Sequence, residues 1–197
     1  MKPLLLCTSL LLSFSSAPAA TIALQPASQS VLPGDTIVLD VVISNLASSV
    51  VGDFDLDIGF DPALLTFDGY ALSGALGDVS SAAALDFSLG LTGPGSVNLA
   101  VVSLLPETTL QGIQSPPFSL ATLQFTVGPL PPGGITIVSI STVNALGDGA
   151  GDPIPVDSLG LATLTSDEAG IPEPGTLLLA VTGLTGLVAV RLRRSPG

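Results

Sequence analysis

Residues 51–67 read Val51-Gly-Asp-Phe-Asp-Leu-Asp-Ile-Gly-Phe-Asp-Pro-Ala-Leu-Leu-Thr-Phe67. Phe54, Leu56, Ile58 and Phe60 share one parity, and Asp53, Asp55, Asp57 and Asp61 share the other. In an extended chain successive side chains point to opposite faces. This strict period of two therefore predicts a strand with an apolar inner face and a carboxylate outer face.

The same pattern recurs on both sides. Ile37, Leu39, Val41 and Ile43 face Thr36, Asp40 and Ser44 across one predicted strand. Val97, Leu99 and Val101 mark another, and Leu123, Phe125 and Val127 a third, after an expected bulge near Ala121-Thr122. Residues 135–143 are β-branched and long enough for a strand, and residues 159–164 suit a last short one. Turn signals separate them at Leu32-Pro-Gly-Asp35, Thr92-Gly-Pro-Gly95, Pro116-Pro117 and residues 129–134. Many short strands at this spacing predict an all-β sandwich or jelly roll.

Charge limits what such a domain can do. The chain holds 16 acidic residues, four basic ones and no histidine. Lys2, Arg191, Arg193 and Arg194 are the four cations, so residues 3–190 contain none. A salt bridge within the middle of the chain is therefore impossible. Nucleic acid is excluded as a partner, because nothing there neutralises phosphates. Ser-His-Asp, Cys-His and Schiff-base lysine chemistry are excluded by composition, and zinc lacks its usual ligands. Carboxylate chemistry and hard-cation binding remain, and calcium suits oxygen donors.

The two ends read as delivery segments. Lys2, the apolar run Leu4 to Phe14 and Ala17-Pro18-Ala19 compose a signal peptide over residues 1–20, with cleavage expected after Ala19 or Ala20. Signal peptidase and the general secretion machinery are then partners. Cys7 lies inside the apolar run rather than after it, so no lipid anchor is expected. At the other end, Pro172-Glu173-Pro174 precedes an uncharged run and the cluster Arg191, Arg193 and Arg194. A helix over residues 176–190 would span about 22 Å, short for a hydrocarbon core of about 30 Å. Arginine side chains can reach further, and they favour a cytoplasmic C-terminus.

This order of parts resembles the PEP-CTERM sorting signal, over residues 172–194. The resemblance implies recognition of Pro172, Glu173 and Pro174 by an exosortase and transient anchoring in the inner membrane. The implied destination is the cell surface or extracellular matrix of a Gram-negative bacterium. Residues 167–171 serve as a linker. Residues 21–166 are the exported domain, which keeps no cysteine after both ends are removed and must be held by packing.

A second resemblance lies in that domain. The stretch over residues 51–67, with Val31-Leu-Pro-Gly-Asp35 before a long apolar strand and residues 118–127 and 144–156 later, resembles cohesin modules. It implies a nine-stranded jelly-roll sandwich that binds a dockerin-like protein without catalysis. Asp53 and Asp55 match strand positions where cohesins place polar residues that touch a dockerin, and Asp57 continues that face.

Other constellations compete. Asp148 and Asp152, in Gly147-Asp-Gly-Ala-Gly-Asp152, could ligate calcium, although the loop lacks the length and bidentate glutamate of an EF-hand. Asp86, Glu107 and the aspartate face could be imagined as paired carboxylates of a glycoside hydrolase. A carbohydrate-binding matrix protein is the leading alternative, since extracellular polysaccharide is a natural neighbour. Sugar sites usually offer aromatic platforms, and the chain has no Trp and one Tyr, Tyr70. A calcium-condensed acidic coat is the other alternative.

Overall fold

A computed structural model describes residues 19–167. The signal-peptide segment up to residue 18, the sorting motif Pro172-Glu173-Pro174, the expected membrane helix and the arginine cluster lie outside them. Among the described residues no helix is long and apolar enough to cross a membrane.

The strands are β1 (Ala20–Gln25), β2 (Ser28–Val31), β3 (Thr36–Ser44), β4 (Val51–Gly59), β5 (Leu65–Leu72), β6 (Ala84–Asp86), β7 (Gly90–Gly93), β8 (Ser96–Ser103), β9 (Phe118–Val127), β10 (Ile135–Asp148), β11 (Val156–Leu159) and β12 (Leu161–Ser166). One short helix, α1 (Glu107–Ile113), interrupts them. They form two packed sheets. The first runs β11-β1-β3-β9-β5, and the second runs β2-β12-β10-β4-β8-β6, with β7 also paired to β8.

Twelve segments reduce to nine passes of the chain, as the cohesin resemblance implies. The first pass breaks at Pro26, leaving β1 in one sheet and β2 in the other. The last pass breaks at Gly160 in the same way, and β11 and β12 run parallel to β1 and β2. A Cβ at Gly160 would lie 2.7 Å from that of Ala23, so only glycine lets the two passes cross this closely. The third broken pass is β6 and β7, which pair with successive parts of β8.

The inner faces carry the predicted apolar parity. Phe54, Leu56 and Ile58 of β4 are buried, as are Ile37, Leu39, Val41 and Ile43 of β3. They meet Val97, Leu99, Leu123 and Phe125 in one continuous core. Phe125 is the centre of an aromatic trio. Its ring lies 5.2 Å from Phe60 and 5.5 Å from Phe67, both edge-on, the arrangement that ring quadrupoles favour.

Three elements depart from the sequence expectation, the first being the predicted strand over residues 159–164, which Gly160 divides between β11 and β12. Residues 135–148 make one strand of 14 residues, longer than the predicted 135–143. It absorbs register shifts where Ser141 and Asn144 have no partner on β4. The predicted bulge near Ala121-Thr122 falls at Leu120, between the Val41–Ala121 and Val42–Ser119 pairs.

Helix α1 ends at Gln114, whose buried amide ties three backbone groups together. Its Oε1 accepts from Val51 N at 2.8 Å, and its Nε2 donates to Val51 O at 2.8 Å and Ala75 O at 3.0 Å. Gln114→Leu keeps the volume and leaves those groups without partners. We expect it to cost about 3 kcal/mol or more in urea unfolding, since three groups lose their partner and each buried unpaired group costs about 1–3 kcal/mol. A change near zero would mean that water replaces the amide.

Candidate functional site

The outer face of the second sheet gathers the three aspartates that the sequence singled out. Asp53, Asp55 and Asp57 of β4 all have the parity opposite to the core. Neighbouring β8 places Asn98 opposite Asp57, and β10 brings Asn144 alongside. Asn144 reaches this face because it is the extra residue of a bulge, which re-aims its side chain.

Two amides clamp two carboxylates. Asn98 Nδ2 donates to Asp55 Oδ1 at 2.7 Å and to Asp57 Oδ1 at 3.0 Å. Asn144 Nδ2 donates to Asp55 Oδ1 at 3.1 Å and to Asp57 Oδ2 at 3.0 Å. Both Nδ2 groups are thus spent inside the cluster. What it offers outward is acceptor lone pairs and negative charge. Asn98 is only 7 % exposed, so its orientation is fixed by packing as well.

An apolar rim adjoins the cluster. Between β6 and β7 the ladder is broken at residues 87–89, and Ser88 bridges the gap. Its Oγ accepts from Ala100 N at 2.9 Å and donates to Ala100 O at 3.3 Å. Leu89 N donates to Asn98 Oδ1 at 3.3 Å. The break leaves Phe87 57 % and Leu89 74 % exposed, with Leu91 also outside. Exposed large apolar side chains beside a polar centre are the usual composition of a binding surface. With Asp55, Asp57, Asn98 and Asn144, Phe87 and Leu89 line a shallow groove of about 490 Å³.

Asp53 behaves differently. Its carboxyl turns to Gly147, whose side-chain position it fills, and lies close to Asp148. Burial first, and then the Asp148 charge, push it above the ordinary carboxylate range. A raised folded pKa means that the folded state holds the proton more tightly than the unfolded chain. Stability from this group therefore falls as pH rises from about 3.8 through the folded pKa. Asp53→Asn removes that loss. We expect a melting temperature higher by a degree or two at neutral pH, with the gain shrinking towards pH 4, because solvent screens a half-exposed group. A gain independent of pH would contradict this origin.

The remaining candidates sit apart. Asp148 Oδ1 accepts from Ala150 N and Asp152 N, both at 2.9 Å, so its carboxylate caps the loop it belongs to. Among the described residues no group of three or more Asp, Glu, His or Cys side chains is gathered to hold a metal. Asp86 accepts from Tyr70 and Ser88, while Glu107 accepts from Gln111 and packs beside Gly149. Asp86 lines a cavity with Tyr70 and Asp78 in which Glu107 and the β4 aspartates take no part.

A rigid sandwich that displays clamped acceptors beside bare apolar side chains defines a binding module. Residues 22–158 match the family model of the Cohesin domain, and residues 170–194 match that of the PEP-CTERM protein-sorting motif. The chain belongs to the cohesin family. Its fold is similar to the solution structure of CaCohA2 from Clostridium acetobutylicum, at 21% identity, 78% coverage of this chain and 94% of that one, and a TM-score of 0.59. It is also similar to the Coh-OlpC-Doc435 cohesin–dockerin complex from Clostridium thermocellum, at 11% identity, 78% and 98% coverage and a TM-score of 0.60. A type II cohesin domain from the cellulosome of Acetivibrio cellulolyticus matches at 15% identity, 75% and 94% coverage and a TM-score of 0.56. No curated protein matches significantly.

Sequence parity located Asp55 and Asp57 and would also have located Asn98, which alternates with Val97 and Leu99. Asn144 had no such signal, because its bulge breaks the period. Phe87 carries no such signal either, because β6 before it has only three residues and shows no period.

Proposed function

We propose that the chain is a non-catalytic exported binding protein whose second-sheet outer face docks a dockerin-like module. The observation that carries this reading is the clamped Asp55–Asp57–Asn98–Asn144 cluster flanked by exposed Phe87 and Leu89. Solved relatives named as cohesin–dockerin complexes lend support. The described domain contributes no cation, so the partner must bring its own donors, as lysine, arginine or hydroxyl side chains. Apolar side chains of the partner would cover Phe87 and Leu89 and exclude water from the charged centre.

In this reading residues 1–20 direct export and the tail motif Pro172-Glu173-Pro174 routes the chain through an exosortase. Its apolar run and Arg191, Arg193 and Arg194 hold it briefly at the inner membrane. The cell surface or extracellular matrix is the end point, where scaffolding of polysaccharide is the companion role.

The test is a titration of the full chain against the dockerin modules encoded in the same genome. At least one should bind, and Leu89→Asp should weaken it by about tenfold or more, the loss of one buried anchor. If none binds, the protein-docking reading fails and the carbohydrate-binding alternative takes its place. If a rise in melting temperature on adding calcium, reversed by chelation, is the sole effect found, the acidic-coat alternative is favoured.

A further inference from the structure

A second cavity lies elsewhere, at the open edge between the two sheets. About 600 Å³ is lined by Tyr70, Leu72, Ser73, Asp78, Val79 and Asp86, among others. Its geometry begins with one inserted residue. Phe67 pairs with Phe125 and Tyr70 with Leu123, because Asp68 is bulged out of β5. Two aromatic side chains three positions apart therefore both face inward. Phe67 joins the core trio, and Tyr70 reaches across the edge to the other sheet, where its hydroxyl donates to Asp86 Oδ2 at 3.1 Å. Asp86 lines the cavity and the next residue, Phe87, lines the groove of the docking face, and the two surfaces share no lining residue.

Its polar groups are already oriented. Asp86 Oδ1 accepts from Ser88 N at 2.8 Å. Asp78 accepts from Ser80 N and Ser80 Oγ, both at 2.8 Å, and these bonds hold its carboxyl below the usual range. Burial pushes the Tyr70 phenol up, so it stays protonated and remains a donor. Each carboxylate is thus partly satisfied and keeps spare lone pairs at fixed angles. Such acceptors match ligand hydroxyls, while Tyr70, Leu72 and Val79 offer apolar surface for the C–H face of a ring. Net negative charge and the absence of any Lys, Arg or His among the described residues disfavour an acidic ligand.

The geometry points to a binding site for a neutral oligosaccharide in the Tyr70–Asp78–Asp86 cavity, independent of the docking face. The cavity is open, so a sugar within a longer chain can lie in it.

Tyr70 supplies its own readout. The chain has one Tyr and no Trp, so tyrosine emission reports this cavity alone. The full chain, held in a polyoxyethylene detergent that carries no sugar, is titrated with cello-, malto- and manno-oligosaccharides to roughly 10 mM, a range suited to weak sites. At least one should change the emission saturably, and oligouronates should not. Asp86→Ala should weaken the response by about tenfold. Val79→Glu, at an exposed position that leaves the core intact, should abolish it. The proposal is overturned if no neutral glycan moves the emission, if oligouronates move it equally, or if either variant responds like the parent. A response to a lysine-rich peptide alone also overturns it, in favour of a protein ligand. Leu89→Asp should leave the sugar response unchanged, which separates failure here from failure of the docking reading.

Discussion

Replacing Phe125 with alanine lowers the stability of the sandwich by about 3–5 kcal/mol, the range for removing a buried phenylalanine. Phe125 is fully buried on β9, paired with Ile37 of β3 on one side and Phe67 of β5 on the other. Its ring is the shared member of both aromatic contacts, so its loss opens a void that Phe60 and Phe67 cannot both fill. No disulfide and no salt bridge is available within the exported domain to compensate, because it lacks the residues for either. A typical domain has about 5–15 kcal/mol in hand, so a large part of the total is removed. Urea unfolding followed by circular dichroism measures the shift. Phe87→Ala is the control: that side chain is 57 % exposed and should change stability by less than about 0.5 kcal/mol. If the two variants behave alike, Phe125 is not the packing centre of the core.

The double reversal Asp55→Lys with Asp57→Lys gives the largest expected loss of binding. Both side chains lie in the amide clamp and provide its charge. A partner that brings cations or donors then meets two ammonium groups. Like charges at an interface cost several kcal/mol, and an effect of about 2–5 kcal/mol is expected, a loss of roughly 30-fold to several-thousand-fold. Folding should survive. A lysine stem is long enough to carry its ammonium out of the clamp into water, and any cation relieves a domain that otherwise bears only negative charge. The informative pattern is therefore collapsed affinity with an unchanged or slightly higher melting temperature. Equal binding by the parent and the reversed variant would place the docking surface elsewhere.

The sequence was legible wherever side chains alternate without interruption. The parity of Phe54, Leu56 and Ile58 against Asp53, Asp55 and Asp57 predicts β4 and its outer face, and the structure has both. The inner residues of β3, β8 and β9 follow in the same way. Legibility failed where one residue is inserted. The bulges at Asp68, Ser141 and Asn144 shift the parity, and with it went Tyr70, Asn144 and the far half of β10. The short segments β1, β2 and β6 and helix α1 carry too few residues to show a period above their turns. Asp53 shares the parity of Asp55 and Asp57 but not their role. Its surroundings come from Gly147 and Asp148, nearly a hundred positions away along the chain.

The parallel pairing of the first and last passes has a mechanical consequence. Ala20 lies beside Val156 and Val31 beside Ser166, so the chain enters at one pole of the sandwich and leaves at the other. A pull on the segment beyond Asp167 acts along β12, which is bonded to β2 on one side and β10 on the other. Both ladders then resist in shear, all rungs sharing the force, instead of opening one rung at a time. Tension between the segment beyond Asp167 and a partner held on the proposed β4–β8 face would be spread sideways across the sheet.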